Sequence, residues 1–275
     1  MKRISLVAFI CTVLVGDLAH GQTAGGTVYI DTAVGNTLYR RTQFVNGNKV
    51  ESIIRNDGTF GMPGTQYRAY SGVWPIGSGH GHVDQMSLMV GAEVTDNNGK
   101  PTHIISESYS GATSYIDQNL LTGRQYAWNP LPGYFNPNRA VMDPRTLRWD
   151  STNSAQIASS TDPTTWPRTW PGKDATWNGT WDGYFGKDQF NADQEVVYVI
   201  DDSYNSEFAF YPFSKDTSRR GLGLQVETRL FQWAHPLAED QIFVHFQITN
   251  VGDVVDFQRS TTPIYLGAFA DTHPG

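Results

Sequence analysis

Hydrophobic and polar positions alternate with a period of two through both ends of the chain and lose any period in its middle. Met86, Leu88, Val90, Ala92 and Val94 alternate with mostly polar or small residues, Asp96-Asn97-Asn98-Gly99 has turn chemistry, and Thr102 to Tyr109 returns. That pattern predicts a hairpin with one buried face. A second hairpin is predicted from Thr37 to Val45 and Lys49 to Arg55, joined by Asn46-Gly47-Asn48, because Asn and Gly tolerate the positive φ of tight turns. Val28-Tyr29-Ile30 is a further short β-rich run. Toward the other end, strands are predicted at Glu195 to Asp201, Leu222 to Trp233, Ile242 to Thr249 and Ile264 to Ala270. In the third of these Ile242, Val244, Phe246 and Ile248 face one way and Phe243, His245 and Gln247 the other, so the strand is expected to be covered on both sides near its start. Residues 222 to 270 read as three successive antiparallel strands of a sandwich.

From Gly111 to Asp193 the texture is Pro, Trp, Asn, Asp and Gly, and six of the eight tryptophans lie there, so this stretch reads as a functional loop or an insertion packed on its own side chains. The expected fold is therefore mainly β: antiparallel β-sandwich-like sheets with a long irregular Trp/Pro/Gly-rich insertion, preceded by an N-terminal signal helix. Residues 1–21 form the signal peptide, 22–110 an N-terminal β-rich part and 111–193 the Trp-rich segment. Residues 194–275 hold the C-terminal strands of the same or a second β domain, expected to be truncated, since a last strand followed by a fresh turn leaves an open sheet edge.

The leader is read from Met1-Lys2-Arg3, the apolar run Ile4 to Val15, and small residues at Ala19 and Gly21 before Gln22. The run is too short for a bilayer span and no later segment qualifies, so a secreted or cell-surface location is expected with no transmembrane span after cleavage. The single cysteine, Cys11, lies inside that run, so the mature chain has no disulfide, cysteine nucleophile or thiolate metal site. The mature chain holds 18 basic and 26 acidic side chains, which argues against nucleic-acid binding.

A set of short motifs resembles an uncharacterised group of large secreted or cell-surface proteins of Bacteroidetes-like bacteria. They are Trp74-Pro75-Ile76-Gly77-Ser78-Gly79, Val90-Gly91-Ala92, Ala192-Asp193-Gln194-Glu195, Asp201-Asp202 and Gly221-Leu222-Gly223-Leu224 with Val226, Arg229, Gln232 and Trp233. Thr249-Asn250-Val251-Gly252 and Gly267-Ala268-Phe269-Ala270-Asp271 complete the set. The resemblance covers residues 50–275 and implies an extracellular or surface location. Members often carry a C-terminal sorting domain, not found in this sequence, and the resemblance brings no catalytic residue.

Candidate chemistry is sparse. Asp193, Glu195, Asp201 and Asp202 bracket one strand, but Glu195 and Asp201 stand about 20 Å apart at ~3.3 Å per residue, too far for a glycosidase pair. These acids read as strand caps and turn residues, and no catalytic residue is assigned. Asp182, Asp188, Asn191 and Asp193, with Gly183 and Gly186 nearby, form a candidate calcium site because extracellular calcium is held by loop oxygens, although no DxDxDG spacing occurs. His80-Gly81-His82 with His103 or His245 has zinc-like spacing but reads better as surface residues. Trp166, Trp170, Trp177, Trp181 and Tyr184, with Phe185, are the candidate ligand-binding residues: they form either a stacking platform for sugar rings or a private aromatic core. The flanking Pro and Gly residues favour the private core. The function expected is non-catalytic recognition in adhesion, matrix or ligand binding, with polysaccharide or cell-surface and matrix components as partners. The alternative is a carbohydrate-active protein, binding module or glycoside hydrolase, using the Trp-rich segment.

Overall fold

Asp96 shows how local chemistry sets the first sheet: its Oδ1 accepts from the amides of Asn98 and Lys100 at 2.8 and 2.9 Å, and Gly99 takes φ +78°. Asx turns of this kind let the chain reverse with its backbone groups satisfied. The computed structural model describes residues 22–23, 26–27, 29–61, 70–108, 126, 128–137, 156–257 and 264–272. The expected leader at 1–21, Trp149 and the terminal turn beyond Thr272 lie outside them.

Strands β1 (Gln22–Thr23) and β2 (Gly26–Thr27) pair with each other. One larger sheet contains β3 (Thr42–Val45), β4 (Ser52–Arg55), β5 (Thr59–Phe60), β6 (Val83–Thr95) and β7 (Pro101–Glu107). The other contains β8 (Asn129–Pro130), β9 (Ala158–Ser159), β12 (Gln194–Asp201), β13 (Leu224–Gln232) and β14 (Phe243–Asn250). Between them in sequence, β10 (Asp182–Gly183) and β11 (Gly186–Lys187) make a small hairpin. All named strand pairings are antiparallel.

The last strand, β15 (Ile264–Thr272), corrects the expected succession of three neighbours. β13 and β14 pair as read, with Val226 opposite Ile248 and Leu230 opposite Val244, but β15 joins the first sheet and pairs with β6. Leu266 and Ile264 pack against the hydrophobic cluster from that side. The register shifts between Asp271 and Thr272, which pair with Gln85 and Val83, so Asp84 is passed over. This bulge turns Val83 to the same side as Leu88, Val90, Ala92 and Val94, an odd-numbered residue among even ones. A second correction concerns Thr37–Tyr39, which forms a 3-10 turn capped by the Asn36 side chain instead of the start of a strand.

One hydrophobic cluster takes side chains from both large sheets, including Ile54, Phe60, Leu88 and Val90 from the first and Val196, Ile200, Val226 and Leu230 from the second. Trp128 and Ile157, from within 111–193, lie in it too. That stretch therefore does more than pack on itself: β8 and β9 pair with β12 and extend the second sheet.

Two glutamines tie the sheets together polarly. Gln194 Oε1 accepts from Asn46 N at 2.7 Å, and Gln232 Oε1 accepts from Gly47 N at 2.8 Å while its Nε2 donates to Val50 O and Asn48 Oδ1, both at 2.7 Å. The Asn46-Gly47-Asn48 turn is thus clamped by the opposite sheet. A Cβ on Gly47 would fall 2.7 Å from Gln194 Cβ, which is why glycine is required there.

Candidate functional site

On the face of the second sheet turned away from the shared core, β12 presents Glu195, Val197 and Val199, β13 presents Glu227, Arg229 and Phe231, and β14 presents Phe243, His245 and Gln247. Along β12 this face is closed by the Trp-rich segment. Trp181 is fully buried and Trp170 is 3% exposed; both pack with Ala158 and Val197. The Trp170 and Trp181 rings meet edge-to-face at 5.7 Å, and Trp166 lies 5.5 Å from Trp181. Their indole N–H groups are spent internally, Trp166 on Ser159 O at 2.7 Å and Trp170 on Thr180 O at 2.8 Å. Trp177 is half-buried beneath the Lys173 ammonium, 4.4 Å from its ring centroid. The tryptophans are therefore a packed cover over β12 and do not form an exposed row.

Tyr184 behaves differently. It sits in the turn between β10 and β11, is 40% exposed, and rests edge-on against Phe231 at 5.8 Å and His245 at 5.1 Å, with Phe185, 64% exposed, beyond it. Trp233 stacks on Phe231 at 5.7 Å and meets Phe243 at 5.2 Å, continuing the aromatic run.

Arg229 is the centre of the charges beneath. Its Nη1 donates to Glu195 Oε1 at 2.5 Å and to Asp182 O at 2.7 Å, its Nε donates to Glu227 Oε1 at 2.6 Å, and Asp182 Oδ2 lies 3.7 Å from its Nη2. Glu195 also accepts from Trp181 Nε1 and Tyr184 N, each at 3.1 Å, so the ion pair anchors both the Trp cover and the Tyr184 turn. Lys173 pairs with Asp182 at 3.1 Å. Burial opposes the charge on Arg229, but Glu227, Glu195 and Asp182 more than offset it and raise its pKa. Burial likewise pushes Glu227 up, yet Arg229 and Lys173 outweigh that and hold its carboxyl below the usual range. His245 is pushed down by burial, with Glu227 acting the other way.

Where the Trp-rich cover stops, a strip of β13 and β14 stays partly open. The Glu227 side chain is 30% exposed. Only its Oε1 is engaged by Arg229, and Oε2 has no hydrogen-bond partner among the described residues. His245 Nδ1 is buried and has no hydrogen-bond partner among the described residues. Gln247, paired across the strands with Glu227, makes no side-chain hydrogen bond among the described residues. Register places Arg229 opposite His245 and Glu227 opposite Gln247, so these groups lie side by side at about 5 Å between Cβ atoms. Nearby, the Tyr134 hydroxyl contacts Asp31 Oδ2 at 3.4 Å, and its pKa is raised by burial, with Asp31 and Glu227 adding to it.

The other candidates make local contacts. Asp182 is held by Lys173 and Arg229, Asp188 Oδ1 accepts from Trp181 N at 2.9 Å, the Asn191 carbonyl accepts from Trp233 Nε1 at 2.6 Å, and Asp193 Oδ2 accepts from Ala234 N at 2.7 Å. No group of three His, Cys, Asp or Glu side chains suited to a metal gathers among the described residues. His80 is exposed, His103 pairs with Glu93 at 2.9 Å, and His245 lies on the other sheet. Asp201 accepts from Gly35 N and Ser203, and Asp202 from Leu222 N, Leu224 N and Ser106 Oγ at 2.6, 2.8 and 3.0 Å. Burial raises Asp202 to about 7 despite those bonds. Between the sheets runs an apolar cleft with about 570 Å³ of empty space, part of it open solvent, lined by Ile54, Phe60, Met86, Val244 and Phe246 among others. Among its described lining residues, Tyr198 alone carries an acidic or basic group.

Sequence reading missed the Glu227, His245 and Gln247 strip. The available signal was a Glu and an Arg two apart on one face of a strand otherwise rich in apolar residues, with Glu195 on the neighbouring strand: opposite charges at such positions have to pair if the face is covered. No helix among the described residues is long and apolar enough to cross a membrane. No protein-family model, no curated protein and no solved structure matches the chain.

Proposed function

We propose that this chain is a non-catalytic recognition protein of the cell exterior, in which two sheets close as a sandwich and the uncovered strip of β13 and β14 receives the ligand. The observation that carries this reading is the pair of part-exposed polar groups with no partner among the described residues, Glu227 Oε2 and the Gln247 amide, beside the exposed Tyr184 and Phe185 rings. Such groups are free to exchange their water for the polar groups of another molecule. The leader-like residues 1–21, the cysteine-free mature sequence and the resemblance to surface proteins support the exterior location. A hydrolase is the weaker reading, because glycoside hydrolysis needs a carboxyl kept protonated and the accessible acid, Glu227, is held ionised by Arg229.

The test has two parts. Secreted material should have the mass of a chain starting at Gln22. The labelled chain should be retained on an insoluble extracellular-matrix fraction, release no reducing sugar from it, and lose retention when Gln247→Arg blocks the strip. Retention untouched by Gln247→Arg would refute the assigned face.

A further inference from the structure

We infer that the open strip of β13 and β14 binds a neutral, hydroxyl-rich glycan chain, with Tyr184 stacking on a sugar face and Glu227 Oε2 and Gln247 hydrogen-bonding its hydroxyls. This rests on the reading of that strip as the recognition surface and adds the class of its ligand.

The chemistry of the strip selects the class. Three carboxylates, Glu195, Glu227 and Asp182, stand against two cations, and both cations are committed: Lys173 to Asp182 at 3.1 Å, and Arg229 to Glu195 and Glu227 at 2.5 and 2.6 Å. The exposed Lys187, opposite Asp182 across the β10–β11 pair, is the one further cation of this hairpin, so a sulfate, phosphate or uronate would have a single lysine to meet beside three carboxylates. An acidic polymer is therefore the wrong partner. Arg229 already holds one Glu227 oxygen, so an ammonium on the other would sit beside a guanidinium of like charge, whereas Oε2 accepts a hydroxyl hydrogen without that repulsion. Gln247 offers an acceptor and two donors. Vicinal hydroxyls, each able to donate and accept, match that mixture; an apolar ligand would leave both side chains desolvated and unpaired.

Aromatic geometry points the same way. The Tyr184 ring lies roughly perpendicular to Phe231, His245 and Phe185, with interplanar angles of 82°, 67° and 87°, and the residue remains 40% exposed. A partly exposed ring held in a hairpin turn by three others offers area for the C–H face of a pyranose. Its backbone amide is held by Glu195, whose partner Arg229 also holds Glu227, so one ion-pair network positions both the stacking ring and the hydroxyl acceptor.

The full chain would be tested by affinity electrophoresis and titration calorimetry against soluble neutral polysaccharides (β-glucan, mannan and xylan), with chitosan as the cationic probe and alginate as the anionic one. Expected is binding to at least one neutral polymer, unchanged by salt, with alginate inert. Tyr184→Ala and Gln247→Ala should each weaken binding about tenfold or more. Gln247→Ala should leave the melting temperature unchanged, so a folding defect in the Tyr184 variant would not mask the result. Binding to chitosan or alginate alone, lost on Gln247→Ala, would overturn the assignment to a neutral chain while the recognition face stood. Absence of Gln247-dependent binding to any of these polymers, with matrix retention still lost in Gln247→Arg, would overturn the glycan inference alone; loss of both effects would remove the recognition face as well.

Discussion

Replacing Arg229 with Met keeps the stem volume and deletes the charge at the centre of the outer-face network. Arg229 is 4% exposed, and the change removes hydrogen bonds to Glu195, Glu227 and the Asp182 carbonyl. Breaking a buried ion pair from one side costs about 3–5 kcal/mol, because the remaining charge is left desolvated. Here the lower part of that range is expected. Glu195 keeps two donors, Trp181 Nε1 and Tyr184 N, and Glu227 can turn its exposed carboxylate to water. With a urea slope of ~3 kcal/mol/M for a chain this size, a loss of ~3 kcal/mol lowers the midpoint by ~1 M. Tryptophan emission is the direct readout, since Trp181 is bonded to the stranded carboxylate, and far-UV circular dichroism should give the same midpoint. The double variant Arg229→Met with Glu195→Gln should recover most of the loss, because neutralising both partners removes the buried charge instead of orphaning it. A midpoint within 0.2 M or so of the parent, or a double variant whose losses simply add, would refute the network as the tie between the sheet and its Trp cover.

Trp181→Ala should cost about 3–5 kcal/mol by emptying the cluster under β9 and β12, read as a urea midpoint shift. Phe246→Ala, which opens the inter-sheet cleft further, should cost less than a fully buried phenylalanine, about 2–3 kcal/mol, because Phe246 is only half-buried. Asp202 has its folded pKa raised from 3.8 to about 7, so it favours the protonated fold: its contribution is full below pH 3.8 and lost as pH rises through 7. Between those limits stability should fall by roughly 1.4 kcal/mol per pH unit from this group, and Asp202→Asn should flatten that slope in a pH series of melts. Glu227, held low by Arg229, works in reverse: its stabilisation is present above the ordinary Glu range and is lost as pH falls through its depressed pKa, so Glu227→Gln should reduce the acid sensitivity of the parent.

How much of this was legible in the sequence follows from the range of the interactions. The hairpin of β6 and β7 could be read because its cause is local: alternation sets the buried face and Asp96 to Gly99 make the turn within four residues. The β13 and β14 pairing could be read for the same reason. What could not be read was which sheet β15 enters, because its alternation fits an edge of either one; the choice is made by register with β6, about 180 residues away, and by a one-residue bulge at Asp84 that no period reveals. The Trp-rich stretch was recognisable as a self-packing segment from its Pro, Gly and indole content. That β8 and β9 would also extend the second sheet was hidden, since two-residue strands carry no measurable alternation.

The open strip was illegible for a further physical reason. Glu195, Asp182, Glu227 and Arg229 look, in sequence, like four scattered charges of the kind that usually face solvent. Only when β12 and β13 align Glu195 opposite Phe231 and Val197 opposite Arg229 does the guanidinium come within reach of both glutamates, and only when the β10 to β11 turn folds over them does Asp182 join. The same turn then carries Tyr184 over His245 and stops short of Gln247. A cover that ends part-way across a face, with the charges under it satisfied and the polar groups beyond it left to solvent, divides that face into a covered half and an open half. If the division is functional, substitutions under the cover should move stability and leave binding intact per folded molecule, while substitutions beyond it should move binding and leave stability intact. Trp181→Ala and Gln247→Ala measured side by side for both properties would expose the opposite pattern, or a shared one, as a failure of the reasoning.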